Sequence, residues 1–244
     1  MKILNHVVTF ESMTPDALEL IMRMGKKCWQ SEPTKSPEEF TKMLIRRGHE
    51  SVLEHASMTV SIMTDRGITH EIVRHRIGCS YSQESTRYVK YDDMEVMTQG
   101  EECDQDPSFL CVLEHAEREY GFLIDKGFKP QIARSVLPNA LKADIGMTAN
   151  FRAWRHFLRL RLSPYAHPSI RNVARAIWCM LPDAVVSDIC AGCGCKPYKW
   201  SELTDNVQKA SHGIIDVRSL DIEWSNNQNI APPEWCFPLC KCKE

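Results

Sequence analysis

The spacing of apolar and polar residues predicts a chain in which short strands and amphipathic helices alternate. Loose alternation over residues 2–10 favours an opening strand. The segment Ser36-Pro37-Glu38-Glu39 is a capping box, which predicts that a helix begins there and ends near Gly48. The same criteria predict further helices over 15–28, 67–76, 106–126, 129–137, 150–162 and 168–181, and strands over 56–63 and 140–148.

Apolar periodicity is lost after about residue 188, where cysteine and tryptophan become frequent. We therefore predict a first domain over residues 1–188 and a Cys-rich C-terminal extension over residues 189–244. Thiolates at the spacings found in the extension suit a four-Cys zinc site or, less well, an iron–sulfur cluster, while free thiols and disulfides are the alternatives. The candidate metal ligands are Cys190, Cys193, Cys195, Cys236, Cys240 and Cys242.

Charged residues are nearly balanced, with 30 Lys and Arg against 32 Asp and Glu, so the formal net charge is -2. Binding to nucleic acid or to an anionic membrane usually needs a broad basic surface, which this balance disfavours. No run of about 18 apolar residues is present, and the first residues lack the pattern of a secretory signal. The 11 cysteines are an odd number, which does not suit a fully paired disulfide framework. We expect a cytoplasmic protein that contacts neither membrane nor nucleic acid.

One stretch, Arg74 to Tyr88 (RHRIGCSYSQESTRY), is too polar for a core segment and lacks the lysines of a solvated face. Guanidinium groups bind phosphate and carbonyl oxygens bidentately, and Ser and Thr hydroxyls complete an anion site. The sequence has neither a glycine-rich dinucleotide fingerprint nor a phosphate-binding loop of the Gly-Lys-Ser/Thr kind. The stretch therefore predicts an unusual site for a planar, phosphorylated ligand. The basic helix predicted over 150–162 is either part of that site or an exposed face.

The same stretch resembles the signature of flavin-dependent thymidylate synthases, in which Arg-His-Arg is followed at a fixed interval by Ser and then by Arg-Tyr. Four other segments fall in the order that this family would require, namely HESVLEH at 49–55, ARSVLP at 133–138, TANFRA at 148–153 and LRLRLSPYAH at 158–167. The chain departs from the family in one spacing, because one additional residue lies between Arg76 and Ser85. It also has His156 where the family usually has Asn, and Tyr165 and His167 where the family tends to have His and Gln. The resemblance does not cover the Cys-rich extension.

The resemblance implies a fold of the α/β class, of the α+β type, with a central, mostly antiparallel sheet and helices packed around it. It also implies a homotetramer whose active sites form between subunits. The reaction would be the reductive methylation of dUMP to dTMP, with methylenetetrahydrofolate as one-carbon donor, FAD as hydride carrier and NADPH as reductant.

The family's functional residues carry over to positions in the matching segments. Arg161 would be the catalytic residue, because a cation at the uracil ring stabilises negative charge on ring nitrogen 3 and thereby activates carbon 5. The residues implied to bind dUMP are Glu71, Arg74, Gln83, Glu84, Ser85, Thr86, Arg87, Arg134 and Arg161. Those implied to bind FAD are Ser51, Glu54, Arg74, His75, Arg76, Ile77, Gln83, Asn150, Arg152 and His156.

Two other functions remain open at this level. A relative that transfers a different one-carbon group to a pyrimidine nucleotide would share these motifs. A nucleic-acid-binding or nucleotide-binding module without catalysis would use the Cys-rich extension as a zinc element and the helix over 150–162 as a basic face. A flavoprotein would purify yellow, whereas such a module would be colourless.

Overall fold

A computed structural model describes residues 1–29, 34–91, 93–189 and 214–216. Seven strands and two 3-10 helices alternate with nine α-helices in this part of the chain. The strands are β1 Lys2–Leu4, β2 Val7–Met13, β3 Ser57–Asp65, β4 Cys79–Gln83, β5 Glu95–Met97, β6 Lys142–Asn150 and β7 Ile214–Asp216. The α-helices are α1 Ala17–Trp29, α2 Pro37–Arg46, α3 Arg66–Ile72, α4 Glu101–Gln105, α5 Pro107–Asp125, α6 Pro130–Ala133, α7 Phe151–Arg161, α8 Pro168–Met180 and α9 Asp183–Val186, and the 3-10 helices are Glu50–His55 and Arg134–Val136.

A five-stranded antiparallel sheet in the order β4-β6-β3-β2-β7 forms the centre of the fold. Strand β3 is its middle member, and every second residue of β3 from Met58 is buried, as expected when one face of a strand lies on the core. Strands β1 and β5 form a separate parallel pair. These observations confirm the expected mixed α/β class with an antiparallel sheet.

The main core lies between this sheet and the helices that follow β6. Phe151, Trp154 and Phe157 of α7 are fully buried, and the indole of Trp154 donates a hydrogen bond to the Met58 carbonyl at 3.1 Å. Helix α8 is buried along almost its whole length from Ser169 to Met180. Burial of large aromatic side chains contributes the most apolar area per residue to a core. Helix α7 is therefore held firmly against β3.

The acidic and poorly patterned segment 92–106 favours a solvated loop on sequence grounds, but its described residues 93–106 do not form one. It contains β5 and α4, and its Met94 and Val96 join Leu113 of α5 and Leu141 in a second, smaller core. Because acidic residues surround its apolar residues, the sequence pattern did not indicate the short strand β5. That strand is stabilised by pairing with β1, which lies far away in the sequence.

Three other predicted elements differ from those observed. The opening strand is divided into β1 and β2 around Asn5 and His6, and the two halves enter different sheets. The segment 49–55, whose many polar and ionisable residues favour a polar turn, forms the 3-10 helix Glu50–His55 instead. The helix predicted over 67–76 ends at Ile72, so that the Arg-His-Arg segment lies beyond its end.

Residues 214–216 of the predicted extension form β7 and pair with Val7, Val8 and Thr9 of β2. The division into two domains at residue 188 stays a prediction. The six cysteines proposed as metal ligands lie outside the described residues. Within those residues, no group of three or more His, Cys, Asp or Glu side chains is placed to hold a metal, and no helix is both long and apolar enough to cross a membrane.

Candidate nucleotide and flavin site

Arg161, the last residue of α7, is held by two residues from the end of α3 and the turn that follows it. Its Nη1 donates to the Glu71 carboxylate at 2.8 Å, its Nη2 donates to the Glu71 backbone carbonyl at 2.9 Å, and its Nε donates to His75 Nε2 at 2.9 Å. The Arg161 side chain retains only 18% of its accessible surface. A guanidinium has five N–H groups, so about two remain free for a ligand.

His75 is the buried centre of the Arg-His-Arg segment. Its ring packs against Phe157 at 4.8 Å and against His156 at 5.8 Å between ring centroids. Burial, followed by the charges of Arg161 and His156, lowers the pKa of His75 from 6.5 to about 4. The imidazole is therefore neutral at physiological pH, and because its Nε2 accepts from Arg161, its Nδ1 carries the proton. This buried N–H has no hydrogen-bond partner among the described residues.

Tyr81 of β4 contacts the turn between α3 and β4 through its hydroxyl. Its hydroxyl lies 3.0 Å from the Ile72 carbonyl and also within hydrogen-bond distance of the His75 carbonyl, to either of which it can donate. Burial raises the pKa values of both Tyr81 and the neighbouring Cys79 thiol. Cys79 therefore stays protonated, which does not suit a nucleophile.

Gly78 brings this turn into contact with the start of α7. Its φ is +72°, in the left-handed region, and a Cβ at this position would lie 2.5 Å from the Asn150 side-chain nitrogen. The Asn150 amide donates to the Gly78 carbonyl at 3.1 Å, and the Asn150 side chain caps α7 by accepting from the Ala153 amide at 2.8 Å. Only glycine allows this close approach without strain.

The residues expected at the flavin divide into paired and unpaired groups. Arg152 and Glu54, both about half exposed, form an ion pair at 2.6 Å between α7 and the 3-10 helix. Arg74 and Arg76 are exposed, and neither forms an ion pair with any residue that the structure describes. Ile77 between this segment and Gly78 is 93% exposed. The remaining residues of the set, Ser51 and His156, are exposed as well.

The residues expected at the nucleotide follow along β4 and the turn after it. The Gln83 amide donates to the Thr69 hydroxyl at 2.9 Å, and Arg134 donates to the hydroxyl of the buried Thr86 at 2.9 Å. Arg87 is exposed and lies over the ring of Tyr88, 5.5 Å from its centroid.

Ser85 and Glu84 complete this set in different surroundings. The Ser85 hydroxyl accepts from the Arg87 amide at 3.4 Å and so belongs to the same turn. Glu84 instead lines a separate polar pocket with Tyr91, Glu95 and Lys142. The structure thus joins Glu71, His75 and Arg161 directly, and it connects Thr86 to Arg134, but it gives Glu84 no contact with either group.

The sequence did not predict an ion-pair cluster that is formed by two arginines of α7 with acidic residues of other segments. Arg155 is completely buried and binds Glu50 at 3.1 Å and Asp188 at 2.6 Å, and it also donates to the Val185 carbonyl. Burial alone would raise the pKa of Asp188, but the hydrogen bond and charge of Arg155 lower it. Arg159, one turn further along α7, reaches Glu50 at 3.2 Å. The four-residue spacing of the two arginines was the available signal for a shared partner.

Fold and site together define a class, an α+β protein with an arginine-rich site suited to planar, phosphorylated ligands. The sequence matches the Thy1 family, described as thymidylate synthase complementing protein, over residues 9–185. The chain belongs to this family.

Individual relatives and solved structures agree with this assignment. The chain is 36% identical over 193 residues to a flavin-dependent thymidylate synthase from Mycobacteroides abscessus, covering 69% of this chain and 76% of the relative. A Corynebacterium efficiens protein of the same name is 36% identical over 194 residues, covering 69% and 77%. Thymidylate synthase X from Helicobacter pylori, solved with FAD and dUMP, has a TM-score of 0.61 at 25% identity, covering 72% of this chain and 93% of that one. A UMP/dUMP methylase from Streptomyces cacaoi shares the fold, with a TM-score of 0.65 at 24% identity over 76% of this chain and 95% of that one.

Proposed function

We propose that the chain is a flavin-dependent thymidylate synthase, which methylates dUMP to dTMP with FAD as its cofactor. The observation that carries this proposal is the arrangement of Arg161, held at three of its nitrogens by Glu71 and His75 while about two N–H groups remain free. This arrangement occurs in a chain that matches the Thy1 family over residues 9–185. The named relatives and the dUMP-bound structure support the substrate.

The residues around Gly78 fit a flavin. An isoalloxazine ring is planar and rich in carbonyl and ring-nitrogen acceptors, which match the unsatisfied N–H on His75 Nδ1. The exposed Arg74 and Arg76, free of carboxylate partners in the described part of the chain, suit the pyrophosphate of FAD. Ile77, almost completely exposed, offers an apolar surface beside them. FAD, when bound, would supply the hydride that reduces the transferred carbon to a methyl group.

The chain's own residues act on the nucleotide by binding and by electrostatic stabilisation. Arg87 and Arg134, with the hydroxyls of Ser85 and Thr86, would bind the dUMP phosphate, because guanidinium and hydroxyl donors match its oxygens. The free N–H groups of Arg161 would face the uracil ring. A cation held there would stabilise negative charge on ring nitrogen 3, which raises the electron density at carbon 5 and makes carbon 5 a better nucleophile toward the one-carbon donor.

The rest of the reaction and the assembly are also part of the proposal. Methylenetetrahydrofolate would be the one-carbon donor and NADPH the reductant, and four subunits would form active sites between them, all of which is supported by the resemblance of the signature segments. A cytoplasmic location is supported by the five described cysteines, which are free thiols.

The proposed division into a catalytic domain over residues 1–188 and an extension over residues 189–244 is supported by the loss of apolar periodicity at this point. Zinc bound by the extension is supported by its six thiols in two clusters. A metal would stabilise a segment that has few periodic apolar residues of its own.

An Arg161→Ala variant tests the proposed catalytic role. We expect it to lose at least about 100-fold in turnover, the usual cost of removing one oriented transition-state donor. Turnover is measured as isotope released from carbon 5 of labelled dUMP in the presence of NADPH and methylenetetrahydrofolate. Visible flavin absorbance should be retained, since Arg161 is not among the residues assigned to FAD. Turnover at the wild-type rate would refute the role of Arg161, and a colourless wild-type protein that does not turn over dUMP would refute the proposed function.

A further inference from the structure

Strand β4 contacts helix α3 through the side chains on one of its faces. Alternate residues of a strand share a face, and Tyr81 and Gln83 do so here. The Tyr81 hydroxyl lies 3.0 Å from the Ile72 carbonyl at the end of α3. The Gln83 side-chain nitrogen donates to the Thr69 hydroxyl, in the middle of the same helix, at 2.9 Å. The side chain of Gln83 is therefore held from one side by α3.

Thr69 determines which end of the Gln83 amide faces α3. Thr69 is fully buried, and its hydroxyl donates to the Arg66 carbonyl at 2.9 Å. A hydroxyl has one proton, so with that proton directed to Arg66 it can only accept from Gln83. The amide nitrogen of Gln83 therefore faces Thr69, and the carbonyl oxygen lies on the other arm of the amide.

The side-chain carbonyl oxygen of Gln83 is available to a ligand. It has no hydrogen-bond partner among the residues that the structure describes, and it remains accessible. Gln83 directly precedes Glu84 to Arg87, the segment assigned to dUMP. A carbonyl oxygen only accepts hydrogen bonds, so at this position it suits an O–H or N–H group of a nucleotide and disfavours its phosphate and carbonyl oxygens.

We propose that Thr69 is a positioning residue of the nucleotide site, which fixes the Gln83 amide so that its carbonyl oxygen accepts a hydrogen bond from dUMP. This inference rests on the proposed function, which places dUMP beside the end of β4. An amide that is not held can turn over and present its N–H groups instead. Because Thr69 orders the side chain of Gln83 before the nucleotide arrives, less side-chain freedom is lost on binding.

A Thr69→Val substitution removes the hydroxyl and keeps the shape of the side chain. The dissociation constant of dUMP is measured on FAD-loaded enzyme without the one-carbon donor. We expect it to rise roughly fivefold, which corresponds to the loss of one hydrogen bond. Thr69→Ser retains a hydroxyl and should keep most of the affinity. The matched control is Thr59→Val, which removes a hydroxyl bonded to Thr148 at 2.9 Å within the sheet and should leave dUMP affinity unchanged.

A second set of variants shows whether Thr69 acts through Gln83. Gln83→Met removes both polar ends of the amide and should weaken dUMP binding at least as much as Thr69→Val. When Gln83 is already Met, the further change Thr69→Val should not weaken dUMP binding again, because residues that act as a unit are not additive. Gln83→Glu keeps an acceptor and has no donor, so it should bind dUMP more tightly than Gln83→Met.

Affinity in Thr69→Val within about twofold of the wild type would overturn the inference and leave the proposed function intact. The same loss from Thr69→Val with and without Gln83 would do so too, since Thr69 would then act by another route. Gln83 is partly buried at the end of an edge strand, so its variants should fold even if Thr69→Val does not. Equal dUMP affinity in Gln83→Met and Gln83→Glu would overturn the inference by itself. If the wild-type holoenzyme did not bind dUMP, the inference and the proposed function would both fail.

Discussion

A Gly78→Ala substitution should destabilise the protein and weaken the site, and the structure allows its cost to be divided into two parts. The first part is conformational, because the backbone at residue 78 has a φ of +72°. The second is steric, because the new methyl group would lie 2.5 Å from Asn150 Nδ2 and 3.2 Å from the Ala153 Cβ. A real Cβ does not tolerate the shorter of these distances, so the Asn150 side chain would have to move.

The two parts have similar magnitudes. A left-handed conformation costs a residue with a Cβ about 1–2 kcal/mol. Movement of Asn150 breaks the N-cap hydrogen bond to the Ala153 amide, which costs about 0.5–2 kcal/mol when a cap is lost. The free energy of unfolding should therefore fall by roughly 1.5–4 kcal/mol. Flavin content should fall as well, because the same movement displaces the start of α7.

Two other glycines provide matched controls. Gly127→Ala introduces the same methyl group at a φ of +85° with no heavy atom within 4 Å, so it should show the conformational cost alone. Gly121→Ala lies within α5 in open space and should stabilise the helix by up to about 1 kcal/mol. Urea denaturation of the three variants gives the free energies. If Gly78→Ala cost no more than Gly127→Ala, the contact with Asn150 would not be the constraint described above.

Three further outcomes can be tested. Arg155→Met should lower the free energy of unfolding by about 1.5–3 kcal/mol, because it removes the charged hydrogen bonds of a fully buried guanidinium to the partly exposed Glu50 and Asp188. The same change at the half-exposed Arg159 should cost less than about 1 kcal/mol in urea denaturation. Because the pKa of His75 is lowered in the folded state, the unfolded chain binds a proton more readily than the folded chain. The contribution of neutral His75 to stability is therefore complete above pH 6.5 and is lost as the pH falls toward about 4. In His75→Gln the free energy of unfolding should decline less steeply over this pH range, and a decline as steep as in the wild type would argue against a buried neutral imidazole. Elemental analysis of the purified chain should find about one zinc per chain, and a content below about 0.2 per chain would remove the metal proposal.

Periodic elements were predictable from the sequence, and long-range partners were not. The capping box at Ser36 and the proline that begins α8 mark helix starts through local chemistry, and the helices begin there. The strand Glu95–Met97 depends on β1 for its pairing, which no local pattern shows. At the early end of α3, likewise, the carbonyls of Ile72 and His75 lie within hydrogen-bond distance of the Tyr81 hydroxyl, a contact that the local pattern did not show.

The site shows the same division. The stretch from Arg74 was recognisable because so many arginines and hydroxyls are costly to place together without a ligand. The resemblance placed both Glu71 and Arg161 at dUMP, but no local pattern shows that they pair directly, because they lie on different helices and 90 residues apart. Arg155 was expected on the same basic face as its neighbours, but burial of α7 against the rest of the core turned it inward to Glu50 and Asp188.

The pairing of β7 with Val7, Val8 and Thr9 has a consequence for any attempt to shorten the chain. A strand at the border of a sheet presents unpaired N–H and C=O groups to other molecules, and proteins commonly cover such a border to prevent aggregation. Residues 214–216 cover β2 in this way. A fragment that stops at residue 188 would therefore keep the whole arginine site. It would also leave β2 as an edge strand with unpaired N–H and C=O groups, at the edge of the sheet opposite β4.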